Sequence, residues 1–295
     1  MMVKAQSAVA LTDLIALTKP KITRLVVFTA AVGMWLAPAG SLTVIRVAMT
    51  LLGTVLVVSA ANTLNMFLER DIDGLMGRTA ARPLPAGRLQ PGVALGFGLL
   101  LAVTSLPILS MAVNPLTALL GLAALVIYVA MYTPLKQHSW TAVLVGAIPG
   151  AMPPLMGWTA ATGHIGAPGV ALFAIMFIWQ IPHTLAITLF RDTEYRRAGF
   201  MTLPVQHGMV TTRWHTLGYA PVLVAASLAP VWLGIAGRIY FLTALMLGAG
   251  FVGLAVCVVR EREGVRWART LFVYSIIYLT LLFGVLLATA SHGRA

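Results

Sequence analysis

An all-α, polytopic membrane helix bundle is the fold class this sequence predicts, and three observations predict it. The 295 residues are 59% hydrophobic and only 9% charged, with a mean hydropathy of +0.92, too little charge to cover the surface of a soluble domain. Apolar stretches near the length needed to cross a bilayer recur from end to end. The charged residues collect in alternate linkers rather than along the chain, as membrane topology requires.

The apolar stretches are Ile22–Ala37, Val44–Phe67, Val93–Met111, Leu116–Tyr132, Trp140–Thr159, Val170–Phe190, His215–Ala236, Ile239–Val259 and Leu271–Ala290. They predict about nine transmembrane helices in a single domain over residues 1–295. Turn-forming residues punctuate them at Pro38–Gly40, Asn114–Pro115, Gly163–Pro168 and Gly237–Arg238. Met1–Leu17 lacks a short apolar run with a cleavage site and reads as a polar arm followed by an interfacial helix. The one cysteine, Cys257, lies in an apolar run and reads as a small buried hydrophobe. The pairs Gly92/Gly96, Gly146/Gly150 and Gly248/Gly250 are expected to let helices approach closely.

With nine spans, Lys4, Lys19, Lys21, Arg24, Arg70, Arg78, Arg82, Arg88, Lys136, Arg191, Arg196, Arg197, Arg213, Arg260, Arg262, Arg266 and Arg269 all fall on one side. The other side keeps Arg46, Arg238 and Arg294. The positive-inside rule makes the rich side, and the N-terminus, cytoplasmic. This accounts for the net charge of +12 without a nucleic-acid partner. Acidic residues contribute little to topology, yet all eight, Asp13, Glu69, Asp71, Asp73, Asp192, Glu194, Glu261 and Glu263, lie on that same side. That placement favours chemistry at one membrane face over a transporter, which carries its charges near the midplane.

Three of the acids crowd the end of the second stretch, Asn65-Met-Phe-Leu-Glu69-Arg-Asp71-Ile-Asp73. Asn65, Glu69 and Asp73 are spaced by four, so on a helix they share one face, while Asp71 points elsewhere. Hard oxygen donors of this kind suit Mg²⁺, which takes one or two carboxylates and completes its shell with water and phosphate oxygens. Arg78 and Arg82 follow, again four apart, and Pro83 and Pro85 end any helix there. An arginine pair beside a metal site is suited to phosphate oxygens.

A second cluster follows the sixth stretch. Trp179-Gln180-Ile181-Pro182-His183 is expected to break that helix, and Arg191, Asp192, Glu194 and Tyr195 close it. Asp192 and Glu194 are candidate metal or diphosphate contacts, or else a solvated loop. His183 reads either as a packed core histidine or as an intramembrane site residue. Lys136 reads as a topology charge or an anion ligand. Trp158, Trp179 and Tyr132 are candidate aromatic faces.

The first constellation resembles the signature of the UbiA-like intramembrane prenyltransferases, Asn-x-x-x-Asp-x-x-x-Asp followed by Arg-Thr-x-x-Arg-Pro, with Glu69 at the middle acid. Within that superfamily, Trp179-x-x-Pro-His183, the Arg191–Tyr195 segment, Leu17-Thr-Lys-Pro, Tyr132-Thr-Pro-Leu-Lys136 and Gly146–Trp158 resemble the protoheme IX farnesyltransferase (haem O synthase) branch. The resemblance runs from about Leu14 to Gly208. Ile181 stands where that branch usually has a second proline, and Thr184 where it has a bulkier residue.

The resemblance implies a cytoplasm-facing active-site cavity, farnesyl diphosphate as donor and haem b as acceptor. The product would be haem O, with a hydroxyethylfarnesyl group at a vinyl position. It implies a Mg²⁺ cofactor on Asn65, Glu69, Asp73 and Asp192, and catalytic roles for Asn65, Glu69, Asp73, Arg78 and Arg82. Substrate would be bound by Lys136, Trp179, His183, Arg191, Asp192, Glu194 and Tyr195, with His183 a candidate ligand of the haem iron. The implied surroundings are the lipid bilayer of the cell membrane and association with haem A synthase or oxidase assembly factors. A prenyltransferase acting on a quinone precursor or chlorophyllide is the alternative enzyme, and a lipid-binding protein or transporter the alternative outside enzymes.

Overall fold

The computed structural model describes residues 10–38, 42–261 and 263–290. Lys4, Arg262, Arg294 and the end of the Pro38–Gly40 linker lie outside the described residues. A short helix α1 (Leu11–Leu17) leads through Lys19 into α2 (Pro20–Trp35), with Pro20 in the first turn, where its missing N–H costs nothing. The long helix α3 (Val44–Leu68) continues after a small distortion at Glu69 into α4 (Arg70–Asp73). Next come α5 (Pro91–Ala112) and α6 (Pro115–Val126), a π-helical segment (Ile127–Tyr132) and the turn α7 (Thr133–Leu135). The rest comprises α8 (Ala142–Thr162), α9 (Ala167–Phe190), α10 (Asp192–Arg197), α11 (Leu203–Ser227), α12 (Ala229–Trp232), α13 (Arg238–Arg260) and α14 (Arg266–Thr289).

Among the described residues, seven helices are long and apolar enough to cross a membrane by length and composition: α3, α5, the run Pro115–Leu135, α8, α9, α13 and α14. The other two expected stretches fall on α2 and α11, neither of which meets that measure, so the expected count of nine is not reached among the described residues. Helix α2 has 16 residues, about 24 Å of rise against a hydrocarbon core of about 30 Å. Helix α11 begins earlier than its apolar stretch and is broken at Gly208, whose φ is 84°. One expectation is overturned: Pro182 does not break α9, which runs unbroken from Ala167 to Phe190. A proline removes one ladder bond, and packing against neighbouring helices tolerates that loss inside a bundle.

Two cores hold the bundle. One, where α9, α11, α13 and α14 meet, buries Tyr240, Phe251, Tyr278 and Phe283. Its phenols are paired, Tyr240 donating to Ser227 O at 2.8 Å and Tyr278 lying 2.7 Å from Ser227 Oγ, as buried hydroxyls require. The other, among α3, α5, α6 and α8, buries Val57, Leu109 and Met156. Helices α2 and α8 touch through their main chains: a Cβ on Gly33 would overlap Pro154 O, and one on Gly157 would overlap Ala30 O.

The other glycine pairs divide. Gly146, Gly150, Gly248 and Gly250 face Tyr132, Gln180, Val224 and Tyr274, whereas Gly92 and Gly96 have nothing within 4 Å. The close packing expected at Gly92/Gly96 is therefore not found; α5 meets α3 through other residues, Gly98 lying against Leu64.

Candidate active site

The α3–α4 helical run carries Asn65, Glu69 and Asp73 on one face, as their spacing predicts, and the Asp73 N–H still bonds Glu69 O at 2.8 Å. All three are buried, at 1%, 4% and 1% exposure. Buried charge must be paired, and each oxygen donor meets a cation from a different segment. Lys19 Nζ lies 2.9 Å from Asn65 Oδ1, Lys136 Nζ 2.7 Å from Glu69 Oε1, and Arg82 Nη1 2.6 Å from Asp73 Oδ2. Asn65 Nδ2 donates to Thr133 Oγ1 at 3.1 Å, which turns its carbonyl oxygen toward Lys19.

These groups line one polar chamber of about 230 Å³, together with Arg78 and Tyr195. Residues 78–89 form successive turns rather than a helix, yet Arg78 and Arg82 still reach the same chamber. Lys19, Arg78, Arg82 and Lys136 face only Glu69 and Asp73 there, leaving an excess of positive charge. The excess is felt by Lys19, whose pKa is lowered to about 7 by burial and by Arg82 and Lys136. Burial also works against the Lys136 charge, but Tyr132 and Glu69 beside it outweigh that and raise its pKa above the ordinary lysine range. The Tyr195 phenol is raised, chiefly by burial. An electropositive chamber that also holds two carboxylates has the chemistry to take a polyanion together with a cation.

The donor set fits Mg²⁺. It consists of hard oxygens only, two carboxylates and one amide, and among the described residues there is no group of three His, Cys, Asp or Glu side chains that could hold a metal alone. Magnesium needs no such cage, because water and phosphate oxygens complete its octahedron.

A second, apolar chamber of about 240 Å³ adjoins the first, and Ile22, Tyr128, Tyr132, Val143 and Thr184 line both. Val26, Val57, Leu125 and Pro153 form its deeper walls. The π-helical segment presents Tyr128 and Tyr132, ring centres 5.1 Å apart, at the junction. The Tyr132 ring packs against Gly146, and Lys136 Nζ sits 4.4 Å from its centre.

Of the residues singled out from sequence, Asn65, Glu69, Asp73, Arg78, Arg82, Lys136 and Tyr195 come together in the polar chamber. Arg191, Asp192 and Glu194 lie beside it without lining it. They pair as Arg191–Glu194 at 2.8 Å and Arg196–Asp192 at 2.7 Å. Asp192 Oδ1 and Glu194 Oε2 are nonetheless enclosed without a hydrogen-bond partner.

Trp179 and His183 line neither chamber. Trp179 donates to Ser275 O at 2.7 Å, and the His183 ring stacks on it while bonding Ser275 Oγ at 2.6 Å. Asp71 is exposed and loosely paired with Arg70 at 3.8 Å. Asp13 pairs with Arg88, and Glu261 accepts from the first N–H groups of α14.

Three site residues carry no signal in the spacing of charges: Lys19, Tyr128 and Gln180. For Lys19 the local sequence offers one clue. It precedes Pro20, which disfavours the right-handed helical region for it, and it is the one non-glycine residue with positive φ among those described, at 48°.

The model of the UbiA prenyltransferase family matches residues 26–277. A protoheme IX farnesyltransferase of Sorangium cellulosum (strain So ce56) is 51% identical over 90% of this chain and 100% of that protein. One of Myxococcus xanthus (strain DK1622) is 50% identical over 93% of each. The fold is shared with digeranylgeranylglyceryl phosphate synthase, at a TM-score of 0.81 and 16% identity over 95% of this chain and 98% of that one. It is shared also with a UbiA homologue from Archaeoglobus fulgidus bound to DMAPP and Mg²⁺, at 0.70 and 16% over 93% and 99%. With the family model matching residues 26–277 and relatives about half identical over most of its length, the chain belongs to the UbiA prenyltransferase family.

Proposed function

We propose that this protein transfers a farnesyl group from farnesyl diphosphate to a vinyl group of haem b, giving haem O, within the membrane. The observation that carries the reading is the joined pair of chambers: an electropositive one closed by Asn65, Glu69 and Asp73, opening onto an apolar one past two tyrosine rings. A diphosphate fits the first and a prenyl chain the second. The 51% identity to a named protoheme IX farnesyltransferase supports haem as the acceptor.

The residues divide the work as follows. Arg78 and Arg82 take diphosphate oxygens, with Lys19 and Lys136 turning to them from Asn65 and Glu69. Positive groups aimed at the leaving oxygen stabilise the charge that develops as the allylic C–O bond breaks. Asn65, Glu69 and Asp73 would hold Mg²⁺, which supplies further neutralisation of that charge. The enclosed, unpartnered oxygens of Asp192 and Glu194 support a second cation contact at the rim, since such oxygens otherwise carry an unmet desolvation cost. The faces of Tyr128 and Tyr132 at the junction suit the allylic cation. Trp179 and His183 brace the turn of α9 that carries Gln180 and Thr184. The reading places the chambers on the cytoplasmic side of the cell membrane, by charge distribution. From the resemblance alone it includes association with haem A synthase or oxidase assembly factors.

Purified protein in liposomes, given haem b, farnesyl diphosphate and Mg²⁺, should yield a farnesylated haem detectable by mass. Turnover of 4-hydroxybenzoate instead of haem would sink the reading and point to the quinone branch.

A further inference from the structure

We propose that the side-chain carbonyl oxygen of Gln180 holds the water that ends the reaction, making the product an alcohol rather than an alkene. This rests on the haem-farnesylating reading above. When the terminal vinyl carbon bonds to C1 of the farnesyl group, the C1–O electron pair leaves with the diphosphate. Positive charge then sits on the vinyl carbon attached to the macrocycle. That cation has two exits: loss of a proton from the neighbouring CH₂ gives an alkene, and capture of water gives an alcohol. Apolar walls favour the first exit. Water can compete only where fixed polar partners hold it, because a water in an apolar cavity needs two or more of them.

Gln180 is built for this. It lines the apolar chamber, and its Nε2 donates to two backbone carbonyls, Ala147 O at 3.2 Å and Met176 O at 3.0 Å. Carbonyls only accept, so those two bonds settle which end of the amide is nitrogen. The oxygen, Oε1, is left with no N–H or O–H donor among the described residues. It lies in the space over Gly150, where a Cβ would overlap it. Thr184, one turn further along α9, lines both chambers and offers a hydroxyl as the second partner.

Asn62 repeats the arrangement on α3. Its Nδ2 donates to Thr18 O at 3.3 Å while the side chain lines the same chamber. None of these groups is ionised, so they can orient water beside a cation without capturing the cation themselves. The balanced step is attack of the water oxygen on the vinyl cation, with the released proton passing by way of Thr184 to the departed diphosphate in the polar chamber. Haem b, farnesyl diphosphate and water become the alcohol and protonated diphosphate.

The test is product partition in proteoliposomes supplied with haem b, farnesyl diphosphate and heavy-oxygen water. Wild type should give the alcohol carrying the heavy isotope. Gln180→Met should raise the ratio of alkene, lighter by one water, to alcohol by about tenfold or more, a difference of about 1.4 kcal/mol between the two exits. Gly150→Ala, which displaces Oε1 without removing it, should shift the ratio the same way. A structural role for Gln180 predicts slower turnover at an unchanged ratio. An unchanged ratio in Gln180→Met and Gly150→Ala, or a wild-type hydroxyl lacking the heavy isotope, overturns the proposal. If Gln180→Met fails to fold, Gly150→Ala decides. Wild type making no farnesylated haem at all would instead remove the functional reading, and this proposal with it.

Discussion

Lys136 Nζ donates to Glu69 Oε1 at 2.7 Å across 67 positions of sequence, tying the end of the π-containing helix to the acidic run on α3–α4. The Glu69 carboxylate is buried, so the lysine neutralises a charge that would otherwise be stranded. Lys136→Met is expected to cost about 3 kcal/mol of stability as well as activity. Pairing it with Glu69→Gln should restore most of the stability and none of the activity. Thermal unfolding in detergent alongside diphosphate release checks both, and full activity in the double variant would count against the assignment.

Glu69→Gln and Asp73→Asn should each lower diphosphate release by about a hundredfold or more, well beyond what the stability lost by leaving Lys136 or Arg82 without its partner accounts for. Glu69→Asp, which restores the family's usual acid at this place, should retain a substantial fraction. Chelation of divalent ions should stop the reaction and Mg²⁺ restore it. Release assays across a Mg²⁺ titration would reveal an unchanged metal response if these oxygens do not hold the ion.

Lys19 meets a neutral amide rather than a carboxylate, so its charge is free for an anion. Lys19→Met should raise KM for farnesyl diphosphate by about tenfold, the loss of roughly one charge-assisted hydrogen bond, with a smaller effect on kcat. Lys19→Arg should recover part of it. An unaltered KM with lowered protein yield would return Lys19 to a purely topological role.

Gly157→Ala forces a methyl into the Ala30 carbonyl, and main chain cannot move aside as a side chain does. A loss of about 1–3 kcal/mol is expected. Gly96→Ala, with open space around it, should be neutral or stabilising by about 0.5–1 kcal/mol, as for glycine within a helix. Equal unfolding temperatures for the two variants would refute the close approach of α2 and α8.

Much of this was legible from spacing and charge. Asn65, Glu69 and Asp73 share a face because a four-residue repeat survives the small distortion at Glu69, and the basic linkers mark the side on which the chamber lies. What spacing could not give was contact between distant segments. Lys19 is an ordinary flanking charge until its neighbourhood is folded, and Gln180 is invisible beside the Trp and His that flank it in sequence. The break expected at Pro182 fails because a proline rule derived for isolated helices yields to packing on α8, α11 and α14. Glycine pairs look alike as letters, and only the neighbours distinguish Gly146/Gly150 from Gly92/Gly96.

The widened turn at Ile127–Tyr132 has a consequence for length variation. A π-turn accommodates one more residue than an α-helical path of the same course, so losing one residue from this turn closes the ladder into a regular helix and leaves Thr133 and Lys136 within reach of Asn65 and Glu69. Inserting a further residue there would instead turn everything beyond it by about 100°, carrying the lysine away from its partner. A loop elsewhere on the surface can lose or gain a residue quietly, whereas this stretch of membrane helix is asymmetric: it can give up one residue and cannot take on another.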